Sequence, residues 1–455
     1  TRNLLSEFQR DHALNPTEEM IDALAEESIK DSNMVINIDN GVLRRQISLL
    51  NNHINSVSLK LSGTDSEYIR DDGKEFSFIA NGQCFSGNDK WKDFQVNTNT
   101  EDQTTITFLD DKETMEVSLY YQVFPELPVV RKSLSVKNLT REPMKLESVD
   151  IENLNTTLDP IESWVMHHYG RQKHIGPYIG DWNDPLVVVH DTDKSKGFAI
   201  GNETIGVLKR TSAFVDGKSL SVGTTHADQV YPFRRWIEPG KRWTSPCVFT
   251  VLYDQCNDPQ HVVNTVVSDF VRKHIGVRIE QLSNKPSFVY NTWNPFMRDI
   301  DEKTIKELAK AASECGIEEF VIDDGWQLNI DSPDEHPEFM GDWEIDKHKF
   351  PNGLKPVFDY IKSLGMRPGL WISLATADTS SQPYKDHPEW FVIDSNGELT
   401  DLHNDDNRSR TACFGTDWYY CIKEKIIDLY KTYGLSYVKL DLAVLASAYV
   451  YSDQR

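Results

Sequence analysis

The sequence predicts a multidomain β + α/β protein, an antiparallel β-sandwich followed by the first part of a (β/α)8 (TIM) barrel. Three observations carry that expectation. Apolar residues alternate with period two from about residue 34 to 275, as in Met115, Val117, Leu119, Tyr121 and Val123, the pattern of strands with one buried face. From about residue 286 the pattern becomes strand–helix alternation, which builds parallel sheets. Two short apolar runs there, Phe320-Val-Ile-Asp-Asp-Gly-Trp326 and Ser436-Tyr-Val-Lys-Leu-Asp441, end in carboxylates, as strands buried in a parallel sheet do at a functional rim. At 455 residues the chain is too long for one ordinary core, so more than one domain is expected.

Taken in order, residues 1–33 read as a helical lead, with Thr17 ahead of Glu18 and Glu19 placing acids at the positive end of the helix dipole. Residues 34–275 read as the sandwich, with further strand-like runs near 35–39, 104–109, 133–137 and 246–253, punctuated by Gly, Asn and Asp. Residues 276–455 read as the barrel portion. Ser287 to Trp293 is its first expected strand. A helix follows with Ile305, Leu308, Ala309, Ala312 and Cys315 on one face and Gly316 at its stop. After the strand ending at Asp323 and Asp324, a second helix carries Leu354, Val357, Phe358, Ile361 and Leu364 and closes at Gly365. The strand Pro368 to Ser373 comes next, then a long loop. A third helix from about Thr416 to Tyr433 stops at Gly434 before the strand ending at Asp441. Only about four βα units fit, half of what closes an eight-stranded barrel, so a truncated barrel from a longer gene product is the expectation. No Gly-rich phosphate loop follows the first strand, which argues against a dinucleotide fold.

The formal charge of −23 argues against nucleic acid and anionic membrane surfaces as partners, since both demand basic patches. It suits a neutral ligand. The 11 Trp and 17 Tyr include flat rings of the kind sugar faces stack on. No apolar run approaches the roughly 20 residues of a membrane span and no leader peptide is visible, so the compartment (cytoplasmic, periplasmic or secreted) stays open. Cys84, Cys247, Cys256, Cys315, Cys413 and Cys421 form no CxxC pair and read as inert thiols. His403-Asn-Asp-Asp-Asn407 and the acidic stretch from Asp331 to Glu338 lack the Gly-punctuated spacing of a calcium loop and read as solvated loops; no metal and no cofactor is expected.

The carboxylates at the strand ends, Asp323, Asp324 and Asp441, point to sugar chemistry. A glycosidase needs one carboxylate as nucleophile or base, and others to grip hydroxyls. Lys439, two residues before Asp441, faces the same side of the strand and would lower the Asp441 pKa. A strand end turning through Asp-Asp-Gly is also what any α/β protein can have, so the weight rests on the motifs together. These are Asn291-Thr-Trp-Asn294, Phe320–Trp326, Gly341-Asp-Trp343, Lys349-Phe-Pro-Asn-Gly-Leu-Lys355, Gly365-Met-Arg-Pro-Gly-Leu-Trp371, His387-Pro-Glu-Trp390 and Tyr437-Val-Lys-Leu-Asp441.

In that order and spacing the motifs resemble the α-galactosidases of glycoside hydrolase family 36, which shares a clan with family 27. The resemblance implies a retaining, exo-acting hydrolase of α-galactoside oligosaccharides with Asp441 as the nucleophile that forms a covalent glycosyl-enzyme. It implies that Asp323 and Asp324 hold the 4- and 6-hydroxyls, that Trp293 and Trp371 contact the ring, and that Arg410 is the sugar-binding arginine, with Arg408 competing. The general acid/base is expected from a later strand, beyond Arg455. The aromatic segment from Trp164 to Trp182 is expected as a loop over the sugar pocket or against a neighbouring subunit of a homo-oligomer, with ordinary loop packing equally in view. Two departures bear on the sugar: Ile372-Ser-Leu-Ala375 stands where the family has Glu-Pro-Glu after the tryptophan, and Leu442-Ala443 follows the nucleophile. They leave open an α-N-acetylgalactosaminidase, a β-L-arabinopyranosidase, galactosyl transfer, or a galactoside-binding protein without catalysis.

Overall fold

The computed structural model describes residues 29–30, 34–100, 102–159, 161–167, 170–180, 184–204, 208–215, 217–229, 232–276, 286–327, 340–392 and 409–442. The chain divides into two units, Thr1–Glu280 and Gln281–Arg455.

The first unit is built of antiparallel sheets, the largest of eleven and seven strands among the described residues. Its period-two expectation is met in detail. Met115, Val117, Leu119, Tyr121 and Val123 are all buried, and their strand, Met115–Phe124, pairs with Leu127–Asn138 so that Val117 faces Val136 and Leu119 faces Leu134. Such cross-strand apolar pairs fix register, because a one-residue slip would turn every one of them outward. They join a single apolar core with the buried faces of Ile69–Ala80 and Met144–Thr156 in the seven-stranded sheet. Of the expected helical lead, Ile29–Lys30 instead pairs as a strand with Gln95 and Val96; the rest lies outside the described residues. In the aromatic segment, Ile161–His167 and Gly170–Ile175 form an antiparallel hairpin rather than a loop, while Tyr169 and Trp182 lie outside the described residues. Beyond the last strand, Val248–Tyr253, a helical stretch that the period-two pattern does not foresee runs from Pro259 to Ile275. Asp258 caps it by accepting from the Gln260 amide, Pro259 suits its first turn, and Phe270 packs against Phe124 and Phe249.

Inside this unit lies a fully buried charge cluster. Arg45 reaches Glu75 at 2.7 Å and Glu152 at 2.6 Å, and Lys132 reaches the same two carboxylates at 2.6 and 2.9 Å. Tyr121 donates to Glu75 at 2.5 Å. Two cations face two carboxylates, so the buried charge cancels and each group is hydrogen-bonded, which is what makes such burial tolerable.

The second unit carries a four-stranded parallel sheet in the order Val289–Asn291, Glu319–Ile322, Arg367–Ser373, Tyr437–Asp441. Helices Glu302–Glu314, Lys355–Ser363 and Trp418–Tyr433 connect its strands. The first is capped by Asp301, whose carboxylate accepts from the Thr304 amide at 2.7 Å, and buries Ile305, Ala309 and Ala312. The last ends on Gly434 in the left-handed conformation, as the sequence led us to expect. This is the start of a (β/α) barrel, with the carboxylate-bearing strand ends on one rim. The first strand is shorter than expected, since Trp293 already opens the short helix Trp293–Phe296. The long loop holds an unforeseen two-stranded ribbon, Thr376–Asp378 against Ser409–Thr411, too short for periodicity to reveal.

The charge cluster yields a stability prediction. Burial alone would raise the Glu75 pKa, but Arg45 and Lys132 outweigh it and hold the carboxyl well below its ordinary value of 4.5. A depressed native pKa contributes stability that is complete above about pH 4.5 and is lost as pH falls toward the native value. Glu75→Gln leaves two buried cations facing one carboxylate and should cost about 3–5 kcal/mol at neutral pH, measured by denaturant unfolding. Between pH 7 and pH 3 the wild type should lose more stability than the variant; equal losses would mean that Glu75 is not the linked group.

Candidate active site

The parallel sheet places the site by register. Trp371 lies opposite Lys439, and Ser373 opposite Asp441, on adjacent strands. Alternation along a strand puts Lys439 and Asp441 on one face, and Trp371, paired with Lys439, shares it. One strand further over, Ile322 ends the Glu319–Ile322 strand and delivers Asp323 and Asp324 to the same rim.

The Lys439 ammonium joins the strands. It lies 2.9 Å from Asp323 Oδ2 and 3.3 Å from Asp441 Oδ2. Asp323 is buried and also accepts from Asn291 Nδ2 at 2.5 Å, while Asn291 Oδ1 accepts from the Trp293 amide. The Thr292 hydroxyl takes the Asp323 amide at 3.0 Å. Asp441 receives the Trp371 indole N–H at 3.0 Å and the Leu442 amide at 2.9 Å, yet its side chain keeps 44% of its surface open. Partial burial would raise the Asp441 pKa, but the Trp371 indole, the Leu442 amide and the Lys439 charge together hold it below the ordinary carboxylate value. Burial likewise pushes Lys439 down, and Asp323 and Asp441 more than reverse it. The result is a partly open, ionised carboxylate beside a buried one, with a cation shared between them: a nucleophile or a cation-stabilising group next to a hydroxyl acceptor.

Asp324 is gripped separately. Arg298 Nε donates to its Oδ2 at 2.8 Å and Gln327 Nε2 to its Oδ1 at 2.5 Å. Each carboxylate oxygen retains a further lone pair for a ligand hydroxyl. The Arg298 guanidinium also lies 5.9 Å above the half-buried Trp293 ring, a cation–π contact.

Asp323, Lys439, Asp441 and Trp371 come together in one bonded set, and Asp324 with Trp293 forms a second set around Arg298. Trp371 is almost wholly buried, stacked edge-on to Trp343, and meets the site through its N–H. Arg410 sits on the ribbon opposite Ala377 and donates to the Ser409 carbonyl, with no described contact to the carboxylates. Arg408, His403–Asn407 and Asp331–Glu338 lie outside the described residues. Asn291, Arg298 and Gln327 were missed as site residues. Gln327, directly after the Asp-Asp-Gly-Trp run, had a positional signal; Arg298 had none. Among the described residues no group of three or more His, Cys, Asp or Glu is placed to hold a metal ion, and no helix is long and apolar enough to cross a membrane.

Residues 242–452 match the melibiase family. An α-galactosidase of Lactobacillus acidophilus is 26% identical over 319 residues, covering 64% of this chain and 42% of the relative. α-Galactosidase 1 of Pediococcus pentosaceus is 26% identical over 322 residues, covering 65% and 42%. The chain thus spans well under half the length of these relatives. Among solved structures, an α-galactosidase of Lactobacillus brevis superposes with a TM-score of 0.71 at 15% identity, over 91% of this chain and 64% of that one. The family 36 α-galactosidase AgaA of Geobacillus stearothermophilus, in a variant complexed with stachyose, gives 0.70 at 16% identity, over 90% and 65%. At such identities these two share the fold.

The electrostatics carry their own test. Lys439→Met removes the cation nearest Asp441, and Trp371→Phe removes a hydrogen bond to it, so either change should raise the Asp441 pKa. Carboxyl-carbon NMR of labelled aspartates reads this directly; an unmoved Asp441 midpoint in both variants would refute the assignment of causes.

Proposed function

We propose that this chain, whose residues 242–452 belong to the melibiase family, carries the nucleophile and the galactose-holding carboxylates of a retaining α-galactosidase acting on the ends of oligosaccharides. One observation carries the reading: the Lys439 ammonium lies between Asp323 and Asp441 at 2.9 and 3.3 Å, which matches one carboxylate that grips and one that attacks. In the first step Asp441 attacks the anomeric carbon and the glycosidic oxygen leaves with a proton, giving a covalent galactosyl-enzyme. In the second step water attacks that carbon and gives a proton to the group that protonated the leaving oxygen, the Asp441 ester bond breaks, and two inversions leave net retention. The lowered pKa of Asp441 suits it to this role, since only the ionised form attacks. No described residue is assigned as proton donor.

The sugar preference follows from the pair of carboxylates. Asp323 and Asp324 are both buried, and an acceptor built for an axial 4-hydroxyl is left without its donor when glucose enters, a mismatch that can cost several orders of magnitude in kcat/KM. Family 36 AgaA has been solved in complex with raffinose and with stachyose, and oligosaccharides of that kind are the substrates proposed for this protein.

The test is hydrolysis of aryl α-galactoside, α-N-acetylgalactosaminide, β-L-arabinopyranoside and α-glucoside by the full-length protein and its Asp441→Asn variant. Turnover should be confined to the α-galactoside and fall by at least about a thousandfold in the variant, as loss of a covalent nucleophile does. Turnover of a different glycoside would keep the mechanism and change the sugar. A folded protein that binds galactose and turns over none of the four would be a binding protein.

A further inference from the structure

One side chain outside the site holds Arg298 and the turn that carries Gln327, the two residues that orient Asp324. Lys349 Nζ donates to the Arg298 carbonyl at 2.8 Å and to the Gly325 carbonyl at 3.1 Å. These carbonyls belong to two separate turns, one carrying Arg298 and the other leading from Asp324 to Gln327. The turns are in unusually close contact. Gly325 has φ of +113°, and a side chain there would lie 2.8 Å from the Arg298 Cα, so only glycine permits the approach. Two carbonyl oxygens meeting across such a contact need a shared donor, and an ammonium with three N–H groups provides it.

The Lys349 backbone is tied to the same turn. Its amide donates to Asp346 Oδ1 at 3.2 Å, and the Asp346 amide donates to the Trp326 carbonyl at 3.0 Å. Gln327 is bridged to Ile345, and Phe350 is anchored in the core. Lys349 therefore connects both clamps on Asp324, directly at Arg298 and through residues 345–346 at Gln327. Among the described residues it has no carboxylate partner within ion-pair distance, so its charge is spent on these carbonyl dipoles rather than on a surface salt bridge.

We propose that Lys349 is a positioning residue for substrate recognition: seated on the Arg298 and Gly325 carbonyls, it fixes the Arg298–Asp324–Gln327 arrangement and thereby the hydroxyl contact made by Asp324. This rests on the galactoside-holding role given to Asp324 above. A lysine that merely braced the fold would affect every substrate alike. A lysine that acts through Asp324 affects most the substrate whose hydroxyl Asp324 holds.

The experiment compares Lys349→Met and Lys349→Arg with the wild-type full-length protein on aryl α-galactoside and on its 4-deoxy and 6-deoxy analogues, with thermal unfolding followed in parallel. Lys349→Met should lower kcat/KM for the α-galactoside by about 10- to 100-fold, the scale of a hydrogen bond to a charged group, chiefly through KM. The loss should be several-fold smaller on one of the deoxy analogues, which lacks the hydroxyl in question, and Lys349→Arg, which keeps donors for both carbonyls, should recover part of it. Equal losses on all three substrates, or no loss, overturn the inference. Should Lys349→Met not fold, Lys349→Gln replaces it, retaining an N–H donor without the charge. A wild type inactive on all three substrates would sink the galactosidase reading instead. The inference is then read from hydrogen exchange at Gly325–Gln327, which should quicken in the variant and which overturns it if unchanged.

Discussion

The site depends on one constraint: carboxylates brought together at the rim of a parallel sheet must find positive charge, and Lys439 supplies it to two of them at once. Asp323 and Asp441 come from different strand ends, and without a cation between them their negative charges would repel. The ammonium lies between them, so that Asp441 stays ionised and partly open while Asp323 is buried. The rest of the arrangement follows. The Trp371 indole aims Asp441, Asn291 and Thr292 secure Asp323, and the third carboxylate, Asp324, receives its own cation from Arg298.

The first unit solves a related problem by the opposite route. There Arg45, Lys132, Glu75 and Glu152 are wholly buried, each cation touches both carboxylates, and nothing is left open for a ligand. A closed cluster of this kind constrains how its strands align, because any slip would strand a charge in the core. The rim of the parallel sheet keeps one carboxylate partly open. That difference in exposure, rather than the residue types, separates a structural charge cluster from a reactive one.

Much of the fold was legible in the sequence because it depends on periodicity. Met115, Val117, Leu119, Tyr121 and Val123 alternate along their strand and are all buried; Ile305, Ala309 and Ala312 recur at helical spacing and face inward; Gly316, Gly365 and Gly434 stop their helices with positive φ. The elements that were missed are those whose pattern is too short or is set by contacts remote in sequence. The Thr376–Asp378 and Ser409–Thr411 ribbon has three residues a side, and the Pro259–Ile275 helix packs against strands far away in the chain through Phe270.

The same division holds in the site. The sequence by itself determined which carboxylates stand at strand ends, and that Lys439 and Asp441 share a face, because alternation within a strand is a local property of the backbone. Its motifs, which persist in order along the chain, carry the resemblance to family 36, and residues 242–452 match the melibiase family. Only the tertiary structure decided that Lys439 reaches Asp323 as well as Asp441, that Trp371 enters through its N–H with its rings buried, and that Arg298 and Gln327 clamp Asp324 while Arg410 lies on a separate ribbon. These are contacts between residues some 26 to 116 positions apart, except for the Gln327–Asp324 bond within one turn. They are fixed by how parallel strands stack in register and how two turns meet at Gly325, neither of which is written in the spacing of residues along one chain.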